Sequence, residues 1–413
     1  MSTKPSAPRP ETPPPNAKID LLLALARALH TVGLPAHRLE AQLLRSASRL
    51  DVSLQIMSMP PGQLLSFDGQ AAPLTYLLRT QAGRVDLWAW TQLHKLCRQL
   101  DRGNIEVAAA RRRLDEIEQP QGGWGRLPTV AAYVLSGGAF AIFFGAGTIE
   151  LWAALAVGLA VGCVAVALRR VRASSRLFEL AAALAAGLIV GSVDVPLGAF
   201  AEWVPLAAGL IILLPGIMLV DATEELAQGY LVAGSARMAG VGVVFLAMTI
   251  GVMMGWHLAE LIPGSAMTKE PKPLAEWTWI PALAVVALGS TIRFGARLAD
   301  YGWILLGSAV ALSATRFGTN TLGPVCGEFF GAFVLGLTAR LAARWRDITA
   351  ELVIIPGLAL LVPGSLGVKT FSSLLDQDPY VAVQSGFQMF LVAMALVAGL
   401  LFSDSLAGEK TAA

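Results

Sequence analysis

Long runs of apolar residues without a single charge are the feature that most constrains the fold of this chain. A helix needs about 20 such residues to cross a bilayer, within a range of roughly 17–25. Five runs reach this range: residues 127–147, 151–168, 203–220, 238–256 and 379–403. The 413 residues are 55% hydrophobic and only 15% charged, against roughly 25% charged in a soluble domain. The sequence therefore predicts a polytopic membrane protein.

Five further segments complete a prediction of ten transmembrane helices. They are residues 180–193, 277–292, 301–315, 321–339 and 352–368. The first three are short, Glu328 interrupts the fourth, and two prolines lie in the fifth. The polar extracytoplasmic loop 263–276 then separates two five-helix repeats, 126–262 and 277–403.

The basic residues predict which side of the membrane each loop faces, because short cytoplasmic loops carry an excess of Lys and Arg. With the N-terminal region inside, most of these residues fall in inside loops. They are Arg126, Arg169, Arg170, Arg172, Arg176, Arg237, Arg293, Arg297, Arg340, Arg344 and Arg346. The outside loops hold only Lys269, Lys272, Arg316 and Lys369. We therefore expect a multi-pass protein of the plasma (inner) membrane with both termini cytoplasmic.

The region before the first span predicts a cytoplasmic α+β domain over residues 19–125. Apolar residues recur there at helical spacing, and two short strand-like runs flank Pro60-Pro61-Gly62, which is typical of a β-hairpin. The proline-rich residues 1–18 predict a disordered tail. Residues 404–413 are expected to form a cytoplasmic tail.

Several function classes find no support in the sequence. A net charge of +2 is too small to indicate a nucleic-acid partner. Cys97, Cys163 and Cys326 form no CxxC pair, and neither a P-loop nor an HExxH or GxSxG motif occurs. We therefore expect no metal, no cofactor and no enzymatic activity.

Pro215-Gly216 interrupts the fourth span, and Pro363-Gly364 interrupts the ninth, its counterpart in the second half. Because the halves start on opposite sides of the membrane, they are inverted repeats if they are related. Paired breaks of this kind indicate a transporter's substrate site, since the freed backbone groups must face protein, water or a ligand. A packing kink is the alternative reading of each break. The expected fold is an α-helical membrane protein of two inverted five-helix repeats, preceded by the small α+β domain.

Five segments, taken in order, carry a resemblance to a known family. They are GLPAHRLEAQLLRSASRL, SLQIMSMPPGQLLSF, ARRRLDEIE, GGAFAIFFGAGTIELWAALAVG and LLVPGSLG. They resemble the threonine/serine exporter family, and the similarity covers nearly everything from Leu21 to Leu401. The resemblance implies ten membrane helices behind a cytoplasmic domain, and proton-driven efflux of threonine and serine. Split-chain relatives are associated with succinate export, and this chain has Glu150 where many relatives have Asp.

Two acidic residues are candidates for coupling transport to protons. Glu328 lies inside the eighth span, where an ionisable group is costly and is a functional candidate by default. A carboxyl group buried there favours its neutral form and could carry a proton. Asp194 lies near the outer end of the third span. The alternatives are a Glu328 that reaches water or pairs with arginine, and an Asp194 in an outward loop.

Arg237 and Asn320 join the two Pro-Gly pairs as candidates for substrate binding. Arg237 could hold a carboxylate through two hydrogen bonds, or anchor the fifth span on its cytoplasmic side. Asn320 could bond a small amino acid near the start of the eighth span, or cap a helix. In the cytoplasmic domain, a cluster of His37, Arg38 and Glu40 lies in a segment that resembles the exporter family. Its spacing fits no metal site, so we expect it to hold the domain against the membrane helices or a neighbouring subunit.

The leading hypothesis is a secondary active exporter of threonine and serine that works by proton-coupled antiport. Its partners are then a small-molecule substrate, protons and the lipid bilayer, while a homo-oligomer is left open. A dicarboxylate (succinate-like) exporter and a passive channel with a regulatory cytoplasmic domain are the alternatives.

Overall fold

A computed structural model of the chain describes residues 17–68, 73–80, 83, 85–119, 124–168, 177–197, 200–261, 271–346, 348–361 and 379–407. The chain divides into two compact units. The first consists of Met1–Arg84 and Gln92–Gln121, and the second of Val85–Thr91 and Gly122–Ala413.

The first unit combines helices with a three-stranded antiparallel sheet. Its helices are α1 (Ala17–Thr31), α2 (Ala36–Arg49), α3 (Leu87–Asp101, residues up to Thr91 counting with the second unit) and α4 (Val107–Glu118). Its strands, in sheet order, are β1 (Leu54–Met59), β2 (Gly62–Phe67) and β3 (Leu74–Leu78). The hairpin predicted around Pro60-Pro61-Gly62 is therefore present, with Met57 of β1 paired to Leu64 of β2.

One face of this sheet packs on the core of the first unit. Leu65 and Phe67 of β2 are fully buried, while Leu64, which precedes Leu65, is exposed, the alternation of a strand with one covered face. Gln63 is buried on the covered side, and its Nε2 donates to the carbonyl of Ala26 in α1 at 3.0 Å. That bond satisfies the amide donor that burial removes from water.

The described part of the second unit is built from helices. They are α5 (Arg126–Phe143), α6 (Thr148–Leu168), α7 (Phe178–Leu197), α8 (Trp203–Leu210), α9 (Gly216–Ala227), α10 (Leu231–Ala259), α11 (Trp279–Arg293), α12 (Tyr301–Leu322), α13 (Pro324–Trp345), α14 (Glu351–Leu361) and α15 (Pro379–Ala407). We refer to α5–α10 as the first half and α11–α15 as the second half.

Six helices among the described residues are long and apolar enough to cross a membrane. They are Arg126–Phe143, Thr148–Leu168, Leu231–Ala259, Leu298–Leu322, Pro324–Trp345 and Val383–Leu406. Phe178–Ser192 and Glu351–Leu361 are shorter apolar helices. The protein is therefore a mostly helical membrane protein, and the full count of ten spans stays a prediction.

The boundary between α12 and α13 differs from the sequence prediction. α12 continues to Leu322, and Gly323 then adopts a φ of 89° before Pro324 opens α13. A left-handed glycine ends a helix without steric cost, and proline suits the first helical turn, where its missing N–H would have no partner. Asn320 therefore lies in the last turn of α12, where it is exposed, and not at the start of the eighth span.

The helix break predicted at Pro215 separates α8 from α9. Residues 211–215 are non-helical, and the N–H groups of Leu213 and Leu214 both bond to the carbonyl of Leu210. Pro215 cannot donate a helical hydrogen bond, and its carbonyl instead accepts the N–H of Leu219 in the first turn of α9. The fourth span is thus divided into two helices.

Two turns, 150 residues apart, share their sequence and their hydrogen bonds. Phe-Gly-Ala follows α5 at residues 144–146 and follows α11 at residues 294–296, and the two glycines have φ of 78° and 63°. In both turns the Gly N–H bonds to the carbonyl three residues back and the Ala N–H to the carbonyl five residues back. Glu150 and Asp300 each accept a bond from the backbone N–H three residues earlier, at 2.9 and 3.3 Å. The halves thus begin with the same local structure.

The first helices of the two halves, α5 and α11, run antiparallel. Trp124 precedes α5, and its indole N–H donates to the carbonyl of Ala296, just after α11, at 3.2 Å. Leu274 precedes α11, and its backbone N–H donates to the carbonyl of Ala146, just after α5, at 3.0 Å. Each helix therefore begins where the other ends.

Close approaches between helices also recur in the two halves. Gly209 of α8 lies against Gly158 of α6, and Gly357 of α14 lies against Gly307 of α12. α7 packs along α10 in the first half, and α13 packs along α15 in the second. Small residues allow such close packing of membrane helices, and these two contacts occur in both halves.

Candidate functional site

A cavity of about 50 Å³ lies at the helix break of the second unit. Its wall combines α5 and the break from the first half with α11 and α14 from the second. This volume holds roughly three to five water molecules at about 10–15 Å³ each. The cavity therefore lies between the two halves, beside one of the predicted Pro-Gly elements, and Gly216 is part of its wall.

Two buried serines face this cavity. Ser136 of α5 is 4% exposed and Ser290 of α11 is 8% exposed, and both line the wall. Neither hydroxyl has a hydrogen-bond partner among the residues that the structure describes. Since buried polar groups are normally satisfied, the two hydroxyls are available to water or to a bound solute.

Positive charge and a helix N-terminus also meet at the cavity. Arg293, one turn after Ser290 on α11, lines the wall and lies 5.6 Å from the centroid of the Phe294 ring. Gly216 and Ile217 bring the first turn of α9 to the same wall, and Pro215 provides no side-chain cap. The first N–H groups of a helix lack intrahelical partners and carry partial positive charge. The described wall contains one cationic side chain, Arg293, and no carboxylate.

Arg237, predicted to bind substrate, has a protein carboxylate as its partner. Its Nε donates to Glu225 Oε1 at 3.0 Å, and both side chains are buried. Glu225 lies near the end of α9 and Arg237 near the start of α10, so the pair joins the two helices across the Gly229 turn. Arg237 does not line the cavity.

Glu328, the predicted proton carrier, lies in the second turn of α13. Its Oε2 is buried and has no hydrogen-bond partner among the described residues. Gly327 and Gly331 flank it so close to α12 that an added Cβ would overlap the hydroxyls of Thr319 and Thr315. The Thr315 hydroxyl is likewise buried without a partner among those residues. The α12–α13 contact thus holds a group of polar atoms with unused bonding capacity.

The other predicted site residues lie apart from the cavity or outside the described residues. Pro363 and Gly364 lie outside the described residues, and α14 ends two residues before Pro363. Asp194 falls within α7, but its side chain is not among the described ones. Asn320 is exposed at the end of α12.

The cluster His37, Arg38 and Glu40 lies in the first turns of α2, within the first unit. Glu40 Oε1 accepts the backbone N–H of Ser58 in β1 at 2.6 Å, and His37 is 9% exposed. Glu40 therefore ties α2 to the sheet of its own unit. The described residues contain no group of histidine, cysteine or carboxylate side chains that could hold a metal ion.

Comparison with known families agrees with this architecture over nearly the whole chain. Residues 20–259 match the threonine/serine exporter model ThrE, and residues 279–406 match the model "Threonine/Serine exporter, ThrE". The chain belongs to the threonine/serine exporter family. This confirms the resemblance carried by the five sequence segments.

Relatives of this exporter-family protein include longer fungal membrane proteins. "Pheromone-regulated membrane protein 10" of Eremothecium gossypii is 24% identical over 84% of the chain and 48% of its own length. The proteins of that name in Candida albicans (strain SC5314) and Saccharomyces cerevisiae (strain YJM789) are 27% and 23% identical, over 86% and 93% of the chain and 33% and 53% of their own lengths. The chain thus spans between a third and about half of these relatives. No solved structure matches it.

Sequence reasoning missed the polar residues of the cavity. It assigned Arg293 to the pattern of cytoplasmic arginines and did not single out Ser136 or Ser290. A signal was present, because the repeated Phe-Gly-Ala turns align Arg293 with Phe143 and Ser290 with Phe140. Polar residues therefore stand in the second half where the first half has aromatic rings.

Proposed function

We propose that this protein is a secondary exporter that moves threonine and serine out of the cell through the cavity between its halves. The observation that carries this proposal is the cavity itself, since its wall joins the broken fourth helix to helices of the other half. Sites of this kind, formed at broken helices between two repeats, are typical of secondary transporters. Membership of the exporter family supports the direction and the class of substrate.

The proposal includes ten spans arranged as two inverted repeats, with both termini cytoplasmic in the plasma membrane. The antiparallel course of α5 and α11 and the repeated Phe-Gly-Ala turns support inversion. The excess of arginine in the predicted inside loops supports the orientation. Alternating access then follows when one half rocks against the other around the cavity.

Glu328 is our proposed site of proton coupling. Glu328 Oε2 is buried and has no partner among the described residues, and burial of a carboxyl group favours its neutral form, so Glu328 can bind a proton and release it when water gains access. Inward movement of the proton would drive outward movement of the amino acid, which is antiport.

Transport by the full chain in proteoliposomes tests this function. Vesicles loaded with labelled threonine, serine or succinate are given a pH gradient of either sign, and solute movement is followed. We expect threonine and serine to move against their gradients in the direction opposite to the protons. Succinate moving in their place would assign the protein to dicarboxylate export, and downhill flux that ignores the pH gradient would indicate a channel. If no solute moves faster than through empty vesicles, the proposal is wrong.

A further inference from the structure

We propose that the cavity contains a carboxylate subsite formed by Ser136, Ser290, Arg293 and the backbone N–H groups of Gly216 and Ile217. The inference rests on the proposed function. It identifies the chemical group of the solute that is recognised and the residues that recognise it. A threonine or serine molecule would enter with its carboxylate toward α9 and α11. A succinate molecule would place one of its two carboxylates there.

The hydrogen-bonding capacity of the cavity is the first argument. Ser136 and Ser290, each more than nine-tenths buried as a residue, line it, and their hydroxyls have no partner among the described residues. Leaving a buried hydroxyl without a bond costs free energy, so both are expected to bond to water or to a solute. Each hydroxyl can donate to a carboxylate oxygen.

The charge of the cavity is the second argument. The N–H groups of Gly216 and Ile217, at the start of α9, have no hydrogen-bond acceptor among the described residues, and a helix N-terminus binds carboxylates and phosphates for that reason. Arg293 adds a full positive charge and a planar pair of donors that fits a carboxylate. No acidic side chain is among the described residues of the wall. Donors, dipole and charge therefore all favour the same ligand, a small carboxylate.

The comparison of the two halves is the third argument. Phe143 occupies the position equivalent to Arg293, and Phe140 the position equivalent to Ser290, before turns with the same hydrogen bonds. The helix end thus forms equally well with aromatic residues at these positions. The turn therefore does not itself require a cation or a hydroxyl at these positions. A ligand that contacts one half more than the other is a use for this polar pair.

Ligand-induced stabilisation of the full-length protein in nanodiscs tests the subsite, because a ligand that binds the folded state raises the unfolding temperature. The probes are L-threonine, succinate, acetate and L-threoninol, which has a CH2OH group in place of the carboxylate. We expect threonine to stabilise the wild type and threoninol to bind at least about tenfold more weakly, as loss of a charge-assisted bond implies. Equal binding of threonine and threoninol, or no stabilisation by any of the three carboxylates, would overturn the inference.

Substitutions then locate the binding. We expect R293Q to weaken threonine binding at least about tenfold, R293K to weaken it less because the charge remains, and S290A to weaken it several-fold. R316Q is the matched control, since Arg316 stacks on the Trp279 ring at 5.2 Å and does not line the cavity. If folded R293Q protein binds threonine as the wild type does, the subsite does not involve Arg293 and the inference fails.

The subsite and the exporter function fail in different ways. If threonine binds through Arg293 but no solute is transported, the subsite stands and the function is wrong. If the wild type exports threonine and R293Q does so with an unchanged KM, the function stands and the subsite is wrong. Tighter binding of succinate than of threonine, lost equally in R293Q, would keep the subsite and change the substrate.

Discussion

Trp124 and Ala296 lie 172 residues apart in sequence and are joined by a hydrogen bond of 3.2 Å from the indole N–H to the carbonyl oxygen. The equivalent bond from Leu274 to Ala146 measures 3.0 Å. Both acceptors are the alanines of the repeated Phe-Gly-Ala turns. The segment that precedes the first helix of each half is therefore bonded to the turn that follows the first helix of the other half. This reciprocity is the strongest structural support for treating the halves as inverted copies, because it requires α5 and α11 to run in opposite directions.

The contact between α5 and α11 predicts that Gly289 tolerates no side chain. A methyl group at Gly289 would overlap Ser136 Oγ, and overpacking of this kind costs about 1–3 kcal/mol of unfolding free energy. The helix-propensity gain of roughly 0.8–1 kcal/mol is smaller. We therefore expect G289A to be less stable than the wild type, while G302A, where nothing lies within 4 Å, is slightly more stable.

The double variant isolates the cause of that loss. Without the Ser136 oxygen, an added Cβ at Gly289 meets the Cβ of residue 136 at 3.5 Å, which is ordinary contact. S136A/G289A should therefore recover most of the stability in a double-mutant cycle of thermal or denaturant unfolding. If G289A alone is as stable as G302A, the two helices do not approach as described.

The buried pair of Glu225 and Arg237 predicts strong and coupled effects on stability. Removing one partner leaves a buried charge uncompensated, so we expect R237M to cost about 3–5 kcal/mol of unfolding free energy. E225L/R237M removes both charges and should regain most of this loss. R113A, which breaks the exposed pair with Glu116 in α4, should change stability by less than about 1 kcal/mol. An R237M protein as stable as R113A would show that Arg237 is free to bind substrate instead.

The proposed role of Glu328 predicts that its substitution abolishes proton-driven accumulation of threonine but not the exchange of threonine across the membrane. E328Q keeps the size of the side chain but cannot release a proton, so we expect threonine to exchange between the two sides while accumulation driven by the pH gradient is lost. The measurement is counterflow and gradient-driven uptake in the same proteoliposomes. E276Q serves as control, since Glu276 is exposed before α11. Gradient-driven export by E328Q at the wild-type rate would exclude Glu328 as the proton carrier.

Cys97 predicts a pH dependence of the first unit. Burial, with a smaller contribution from the Asp101 carboxylate, raises the pKa of the Cys97 thiol from 9.0 to about 12. The folded state therefore keeps the thiol proton that the unfolded state loses above pH 9.0. The contribution of Cys97 to the free energy of unfolding is complete below pH 9.0 and is lost as the pH rises toward 12.

Thiol labelling and unfolding measure this effect. A maleimide at neutral pH should modify the buried Cys97 only in denaturant. Above pH 9.0, the wild type should lose more stability than C97A does. Rapid labelling of Cys97 in the folded state, or identical pH curves for the two proteins, would contradict the description of a buried thiol.

Local patterns determined the parts of the fold in which neighbours in sequence are neighbours in space. The β1–β2 hairpin follows from Pro60-Pro61-Gly62 between two strand-like runs, and the division of the fourth span follows from Pro215, which cannot donate a helical bond. The apolar runs alone identified a membrane protein, because backbone polar groups in lipid must be satisfied within each helix.

Only the tertiary structure decided which side chains surround the cavity and which pair with each other. Ser136 and Ser290 come from helices of different halves, and Arg237 pairs with Glu225 across a turn. In a soluble protein, hydrophobic periodicity shows which face of a helix is buried. A membrane helix is apolar toward lipid and toward its neighbours alike, so the sequence determined where the helices are, and only their packing determined which faces meet.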